Sequence, residues 1–225
     1  MTNRAALVTL AMTLVFLVLL GLLHVLEPEF APSWRMISEY ELGGYGWMMR
    51  LAFFSLALAT IALWLAVRPH VQTLGGKLGL GLLVVSAMGI VLGGSFLTDP
   101  ITTAPSSWTT SGTLHTVGGA LMILLSPLAT TLVSWSLARH NPAWRHAVPW
   151  LFWPALLIWL TTFAFFGVVS VKSGGGRAGP DVPMGWPNRA FIVSYCGWLM
   201  AVARCCHAMT IRRRDVAGTP NLTER

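Results

Sequence analysis

Long apolar stretches alternate with short polar connections along the chain, and this alternation predicts the architecture. Six apolar stretches occupy residues 5–26, 47–67, 78–97, 113–137, 147–170 and 189–209. Each is at least as long as the roughly 20 residues that an α-helix needs to cross the core of a bilayer. The longest connection, residues 27–46, is too short to fold as a separate soluble domain. The sequence therefore predicts a single all-α domain, 1–225, built as a bundle of six transmembrane helices.

The polar segments around these spans carry two further predictions. Residues 33–42 mix aromatic, aliphatic and acidic side chains, a composition typical of a short interfacial helix on the membrane surface. Gly43, Gly44 and Gly46 then let the chain turn into the second span. After the sixth span, residues 210–225 are predicted to form a cytoplasmic tail.

Composition and charge agree with a membrane protein and predict its orientation. Hydrophobic residues make up 55% of the chain and charged residues 10%, against about 25% charged residues in soluble domains. The net charge of +7 comes from basic residues near helix ends, where membrane topology explains them, so no nucleic acid partner is expected. By the positive-inside rule, both termini are predicted to be cytoplasmic in a plasma (inner) membrane. Ten of the fifteen basic residues lie on the side of the termini: Arg4, Arg68, Lys77, Arg139, Arg145, Arg204, Arg212, Arg213, Arg214 and Arg225.

Polar residues near the opposite ends of the helices form the one group that could bind a ligand or catalyse a reaction. Its members come from different spans but lie at similar depth: His24, Glu39, Glu41, Arg50, Asp99, His115 and Arg189. Arg50 lies one turn inside the second span, where an unpaired charge costs several kcal/mol. We therefore expect a carboxylate partner for it, with Glu39, Glu41 and Asp99 as the candidates. The sequence predicts a partly buried polar cluster below the outer membrane face.

This cluster has two main interpretations. In the first, salt bridges and helix caps only stabilise the bundle. In the second, Glu39, Glu41, Arg50 and Arg189 are ligand-binding residues of a pocket that opens to the outer leaflet, where arginines bind an anionic headgroup. His115 and Asp99 are then the candidate catalytic residues, because together they could transfer a proton.

Metal and cofactor sites are weaker interpretations of the same residues. His24, His115 and Asp99 have side chains that suit zinc, but neither an i, i+4 histidine pair nor an HExxH pattern is present. Haem between facing spans needs histidines in the middle of the membrane, which the predicted spans lack. The sequence therefore predicts no metal and no cofactor.

Several short motifs resemble a known family. They are residues 39–50 (EYELGGYGWMMR), 96–100 (FLTDP) and 112–115 (GTLH), followed by Asn188 and Arg189. Together they resemble the DUF998 family of six-span bacterial and archaeal membrane proteins over nearly the whole chain. The resemblance implies the six-span fold, and it implies no activity, because that family is defined by sequence.

Two hypotheses about function follow. The first is a non-catalytic scaffold, or a protein that binds a lipid or another small ligand through the polar cluster. The alternative is an intramembrane enzyme that acts on a lipid or isoprenoid substrate at the outer leaflet through His115 and Asp99. The expected partners are membrane lipids and a lipid-like or small-molecule ligand, and assembly with further copies of the chain is left open. The pocket interpretation gains support if His115 and Asp99 point into a cavity lined by Arg50 and Arg189. It fails if the two side chains point to lipid or to bulk water on separate helices.

Overall fold

The computed structural model describes residues 2–140, 142–173 and 179–218, and these contain no β-strand. Six long helices make up most of this part of the chain: α1 Thr2–Leu26, α2 Gly46–Val67, α3 Leu74–Ser95, α4 Thr110–His140, α5 Val148–Ser173 and α6 Gly185–Gly218. Short 3-10 helices cover Ile37–Leu42, Arg68–His70, Pro105–Ser107 and Pro142–Ala147. The predicted all-α class is confirmed.

Each long helix forms all or most of a helical segment that is long and apolar enough to cross a membrane. These segments are Asn3–Leu26, Gly46–His70, Leu74–Ser95, Thr110–Arg139, Trp144–Ser170 and Gly185–Thr210. The six predicted spans are therefore confirmed, and the protein is a multi-pass integral membrane protein. Local chemistry sets some of the helix ends: the Thr73 hydroxyl accepts a hydrogen bond from the Gly76 N–H at the start of α3.

The helices form a closed ring in which sequence neighbours pack side by side. The chain runs from α1 through α6 in order, and α6 returns to pack against α1 and α2. α3 and α4 pack most closely, because glycines on the two helices face each other. A Cβ atom at Gly89 would lie 2.5 Å from the Gly118 carbonyl oxygen, and one at Gly118 would lie 2.5 Å from that of Gly89. The small residues of the third span thus allow the close approach for which their spacing is typical.

The two ends of the bundle differ in how the helices are joined. We call the end that holds Leu26, Gly46, Ser95, Thr110 and Gly185 the His115 end, and the opposite end the termini end. From the bundle centre towards the termini end, side-chain hydrogen bonds link one helix to another. They join Thr9 to the Ala59 carbonyl, Thr60 to Tyr195, Thr73 to Ser136, Trp159 to Thr131, and Trp198 to Ser134. This part of the bundle is cross-linked by uncharged polar side chains.

The connection between α1 and α2 is folded into the His115 end. The short helix expected on the surface is the 3-10 helix Ile37–Leu42, and its residues 37–41 are buried. The Asn188 side-chain oxygen accepts the Ile37 N–H at 3.1 Å, and a Cβ at Gly185 would collide with the Pro32 carbonyl oxygen. We call residues 28–42 the cap segment, because they cover this end of the bundle.

Candidate functional site

Arg189, near the start of α6, is buried and engaged by protein acceptors. Its side chain donates hydrogen bonds from Nε to His24, from Nη1 to the carbonyl oxygens of Pro32, Arg35 and Gly185, and from Nη2 to the Tyr40 hydroxyl. The residue is only 7% exposed. We call this group the Arg189 clamp. It ties α1 and the cap segment to α6 without any carboxylate.

His24 completes the clamp and has a defined tautomer. Its Nδ1 lies 2.7 Å from the Leu20 carbonyl oxygen, and a carbonyl can only accept, so Nδ1 carries the hydrogen. Nε2 of the neutral ring is then an acceptor, and it receives the Arg189 Nε–H at 2.8 Å. Both ring nitrogens of His24 are therefore occupied.

Two of the predicted acidic site residues are likewise occupied by nearby donors. Glu39 accepts hydrogen bonds from the Arg35 guanidinium at 2.5 Å and from the Ile101 N–H at 3.0 Å. Asp99 accepts both the N–H and the hydroxyl of Thr109, at 2.8 and 3.0 Å, just before α4 begins. Such a carboxylate stabilises the N-terminus of a helix. Both groups hold connections together at the His115 end.

The carboxylate partner expected for Arg50 is absent. Arg50 lies in the first turns of α2 with an exposed side chain, and it forms no ion pair with Glu39, Glu41 or Asp99. Those carboxylates instead take hydrogen bonds from backbone N–H groups. At this depth an exposed arginine can extend towards the water interface, which removes the need for a buried partner.

His115 faces Glu41, whereas the sequence interpretation paired it with Asp99. Nδ1 of His115 lies 2.9 Å from the Phe96 carbonyl oxygen and 3.6 Å from Oε2 of Glu41. His115 and Asp99 form no hydrogen bond or ion pair in the described structure. Because a carbonyl only accepts, Nδ1 carries the hydrogen and Nε2 is the acceptor of the neutral ring. No donor of the described residues reaches that Nε2.

Glu41 is the least satisfied carboxyl group near His115. Its Oε2 accepts the Thr98 N–H at 3.4 Å, and its Oε1 is buried without a hydrogen-bond partner. Burial raises the pKa of Glu41 to about 8, because the charged form loses solvation that the Thr98 N–H and the charge of Arg50 only partly replace. At neutral pH the protonated, uncharged acid therefore predominates.

A cavity of about 430 Å³ lies beside this pair, within the volume range of about 300 to 1,000 Å³ typical of small-ligand sites. Helices α2 to α6 and the cap segment line it, mostly with apolar side chains such as Phe53, Ile90, Met122 and Phe165. None of the described lining residues carries a formal charge. Its polar side chains, besides the Trp108 indole, are Ser38, Thr98, His115, Thr116 and Asn188.

Some lining residues of the cavity on α4 and α5 are exposed at the surface of the bundle. The exposed lining residues are Thr116 and Ala120 on α4, Phe166 on α5, and Trp108 in the connection before α4. Nearby, Gly119 leaves open space, since a Cβ there would meet nothing within 4 Å. The described hydrogen bonds between α4 and α5 lie nearer the termini end. Thr116, Ala120 and Phe166 lie within the segments that are long and apolar enough to cross a membrane, so this side of the cavity is the one nearest to lipid.

Sequence reasoning missed the lining of this cavity and the partner of His115. Apolar residues such as Phe165 resemble lipid-facing ones in sequence, so nothing marked them as lining. Asn188 lies beside Arg189 in a motif shared with the family, yet the sequence prediction does not include it among the site residues. Of the predicted site residues, only His115 lines the cavity, and Glu41 lies behind it. Among the described residues, no three His, Cys, Asp or Glu side chains converge as metal ligands would.

Comparison with known proteins supports the family resemblance. The family model described as "Protein of unknown function (DUF998)" matches residues 10–204. Neither a curated protein nor a solved structure matches the chain. The resemblance stated from the motifs is confirmed, and it extends over most of the chain.

Proposed function

Since this chain belongs to the DUF998 family of proteins of unknown function, we propose its role from the cavity alone: it binds one lipid-like ligand that enters sideways from the bilayer. The observation that carries the proposal is an apolar cavity of about 430 Å³ whose lining includes exposed residues of the adjacent spans α4 and α5. An apolar chain gains free energy on leaving water for such a surface. Within a bilayer, the matching shape and the few polar groups select the ligand.

A binding role fits the polar residues better than proton-transfer catalysis by His115 and Asp99. Asp99 is occupied by Thr109, and the carboxyl group near His115 is that of Glu41. Arg189 and Glu39, two of the candidate ligand-binding residues, hold the cap segment in place. We assign to them the support of the site, and to His115 the contact with the ligand.

The proposed orientation places this cavity towards the outer leaflet of the plasma membrane. Ten of the fifteen basic residues fall on the side of the termini, so the positive-inside rule favours cytoplasmic termini. A reporter fused to the C-terminus tests the orientation. Activity of a cytoplasmic reporter is expected, and activity of an extracytoplasmic reporter alone would contradict it.

Filling the cavity mouth tests the binding function. Gly119 lines the cavity, whereas Gly81 is exposed on α3 away from it, and a Cβ at either position meets nothing within 4 Å. Gly119→Phe therefore adds a ring at the cavity, and Gly81→Phe adds the same ring elsewhere. Native mass spectrometry of the purified proteins should detect a bound lipid-like molecule on the wild type and on Gly81→Phe, and much less on Gly119→Phe. Equal occupancy of all three proteins, or none on any, would overturn the proposal.

A further inference from the structure

The chemistry of the cavity also limits the polar end of its ligand. An anionic headgroup needs a cation that is free to bind it, because a charge buried without a partner costs several kcal/mol. The arginines near the cavity do not offer one. Arg189 is engaged by five protein groups, Arg35 donates to Glu39, and Arg50 is exposed outside the lining.

The polar atoms that remain unoccupied at the cavity are uncharged and of both hydrogen-bonding types. Nε2 of His115 is an acceptor, for the reason given above. The Asn188 side-chain oxygen accepts the Ile37 N–H, which leaves its amide N–H groups as donors. The Ser38 hydroxyl, which can donate or accept, lines the same cavity.

We infer that the ligand is a long-chain alcohol whose hydroxyl donates a hydrogen bond to Nε2 of His115, while its chain fills the apolar part of the cavity. A hydroxyl can also accept a hydrogen bond from Asn188 or Ser38, so it matches both kinds of group. This inference rests on the proposed binding function and names the ligand class for the same cavity. Isoprenoid and straight-chain alcohols share the required chemistry.

The surroundings of His115 agree with an uncharged partner. Burial raises the pKa of Glu41 to about 8, so at neutral pH the acid next to His115 is mostly protonated. The carboxyl group then neither attracts a cationic amine strongly nor repels a hydroxyl. Its role is that of a positioning residue behind His115.

A matched series of probes tests the inference on the wild-type protein. The full chain, stripped of lipid in detergent, is mixed at pH 7 with hexadecanol, farnesol, hexadecyl phosphate or hexadecylamine, and binding is measured by native mass spectrometry. At least one alcohol is expected to bind about 100-fold more tightly than the phosphate and the amine, since each of these would bury a charge. Comparison of farnesol with hexadecanol identifies the chain type.

The relative affinities of the four probes decide whether the ligand is an alcohol. Tighter binding of either alcohol supports the inference. Tighter binding of the phosphate or the amine overturns it, yet leaves the cavity as a binding site for another lipid. Binding of none of the four would overturn the inference and count against the proposed function as well.

Replacing the acceptor gives an independent test. His115→Phe keeps an aromatic ring and removes Nε2, so the affinity for the preferred alcohol should fall about tenfold, as the loss of one hydrogen bond implies. Affinity for the hydrocarbon that has the same chain without the hydroxyl, which is hexadecane for hexadecanol, should not change. An equal loss for both probes would show a general effect on packing and contradict the hydrogen bond. If the variant does not fold, the probe series on the wild type still decides.

Discussion

Two buried polar groups lie at the same end of the bundle, and they differ in how fully the protein satisfies them. In the Arg189 clamp, both ring nitrogens of His24 are hydrogen-bonded, and the guanidinium donates to five protein groups. In the pair of His115 and Glu41, Nε2 of the ring has no protein donor, and Oε1 of the carboxyl has no partner. Only the second group adjoins the cavity.

The difference separates stabilisation from binding. Buried polar groups are nearly always hydrogen-bonded, so an incomplete set next to a cavity indicates a place for a ligand or water. A buried group whose hydrogen bonds are all made within the protein indicates a structural connection, whatever charge its residues carry. Arg189 has the charge that an anion site would need, but its hydrogen bonds are already used within the protein.

Removing the guanidinium should have the largest effect on stability. Arg189→Ala leaves the buried acceptors of the clamp without donors, which should lower the free energy of unfolding by roughly 3 kcal/mol or more. The control is Arg204→Ala, at an exposed position on the same helix. Thermal unfolding in detergent should show a much lower Tm for Arg189→Ala alone. An unchanged Tm would mean that the clamp does not stabilise the bundle.

Pushing the cap segment away from α6 should have the next largest effect. A Cβ at Gly185 would collide with the Pro32 carbonyl oxygen, so Gly185→Ala should cost about 1 to 3 kcal/mol of stability. At Gly197, also on α6, a Cβ meets nothing within 4 Å, and Gly197→Ala should be neutral or slightly stabilising. Equal Tm values for the two variants would contradict a tight contact between the cap segment and Gly185.

The pair of His115 and Glu41 should appear in the pH dependence of stability. Because the pKa of Glu41 is raised from about 4.5 in the unfolded chain to about 8, the folded state binds more protons between these values. Its contribution is complete below pH 4.5 and is lost as the pH rises to 8, so the Tm should fall over this interval. Glu41→Gln cannot ionise and should flatten this part of the curve. The same slope in wild type and variant would refute a buried, protonated Glu41.

Replacing Asp99 should have the smallest effect on stability, and it should not change ligand binding. It accepts hydrogen bonds from Thr109 at the start of α4, so Asp99→Asn, which keeps an acceptor, should cost about 1 kcal/mol or less. Occupancy of the cavity, measured by native mass spectrometry, should match that of the wild type. A specific loss of bound ligand would restore Asp99 to the site and argue for the enzyme hypothesis.

The sequence predicted well how deep each polar residue lies in the membrane, and it predicted poorly which residues contact one another. Apolar length fixed the six spans, and their alternation placed Glu41, Asp99, His115 and Arg189 at one end of the bundle. Partners depend on how each helix is rotated, and with 3.6 residues per turn one position changes the facing direction by about 100°. That rotation decides whether His115 meets Glu41 or Asp99. The burial of residues 37–41 in the cap segment was also hidden, because acidic residues such as Glu39 and Glu41 are typical of a surface helix.

The central claim is that His115 offers a free acceptor to a ligand and His24 does not. Solution NMR of the protein with ¹⁵N-labelled histidine measures this directly, since the Nε2 resonance reports hydrogen bonding at each ring. In the lipid-stripped protein, Nε2 of His24 should already show a hydrogen bond, and addition of the preferred alcohol should shift the Nε2 resonance of His115 only. A His115 resonance that does not respond to any of the probes, or a His24 resonance that responds instead, would contradict the account.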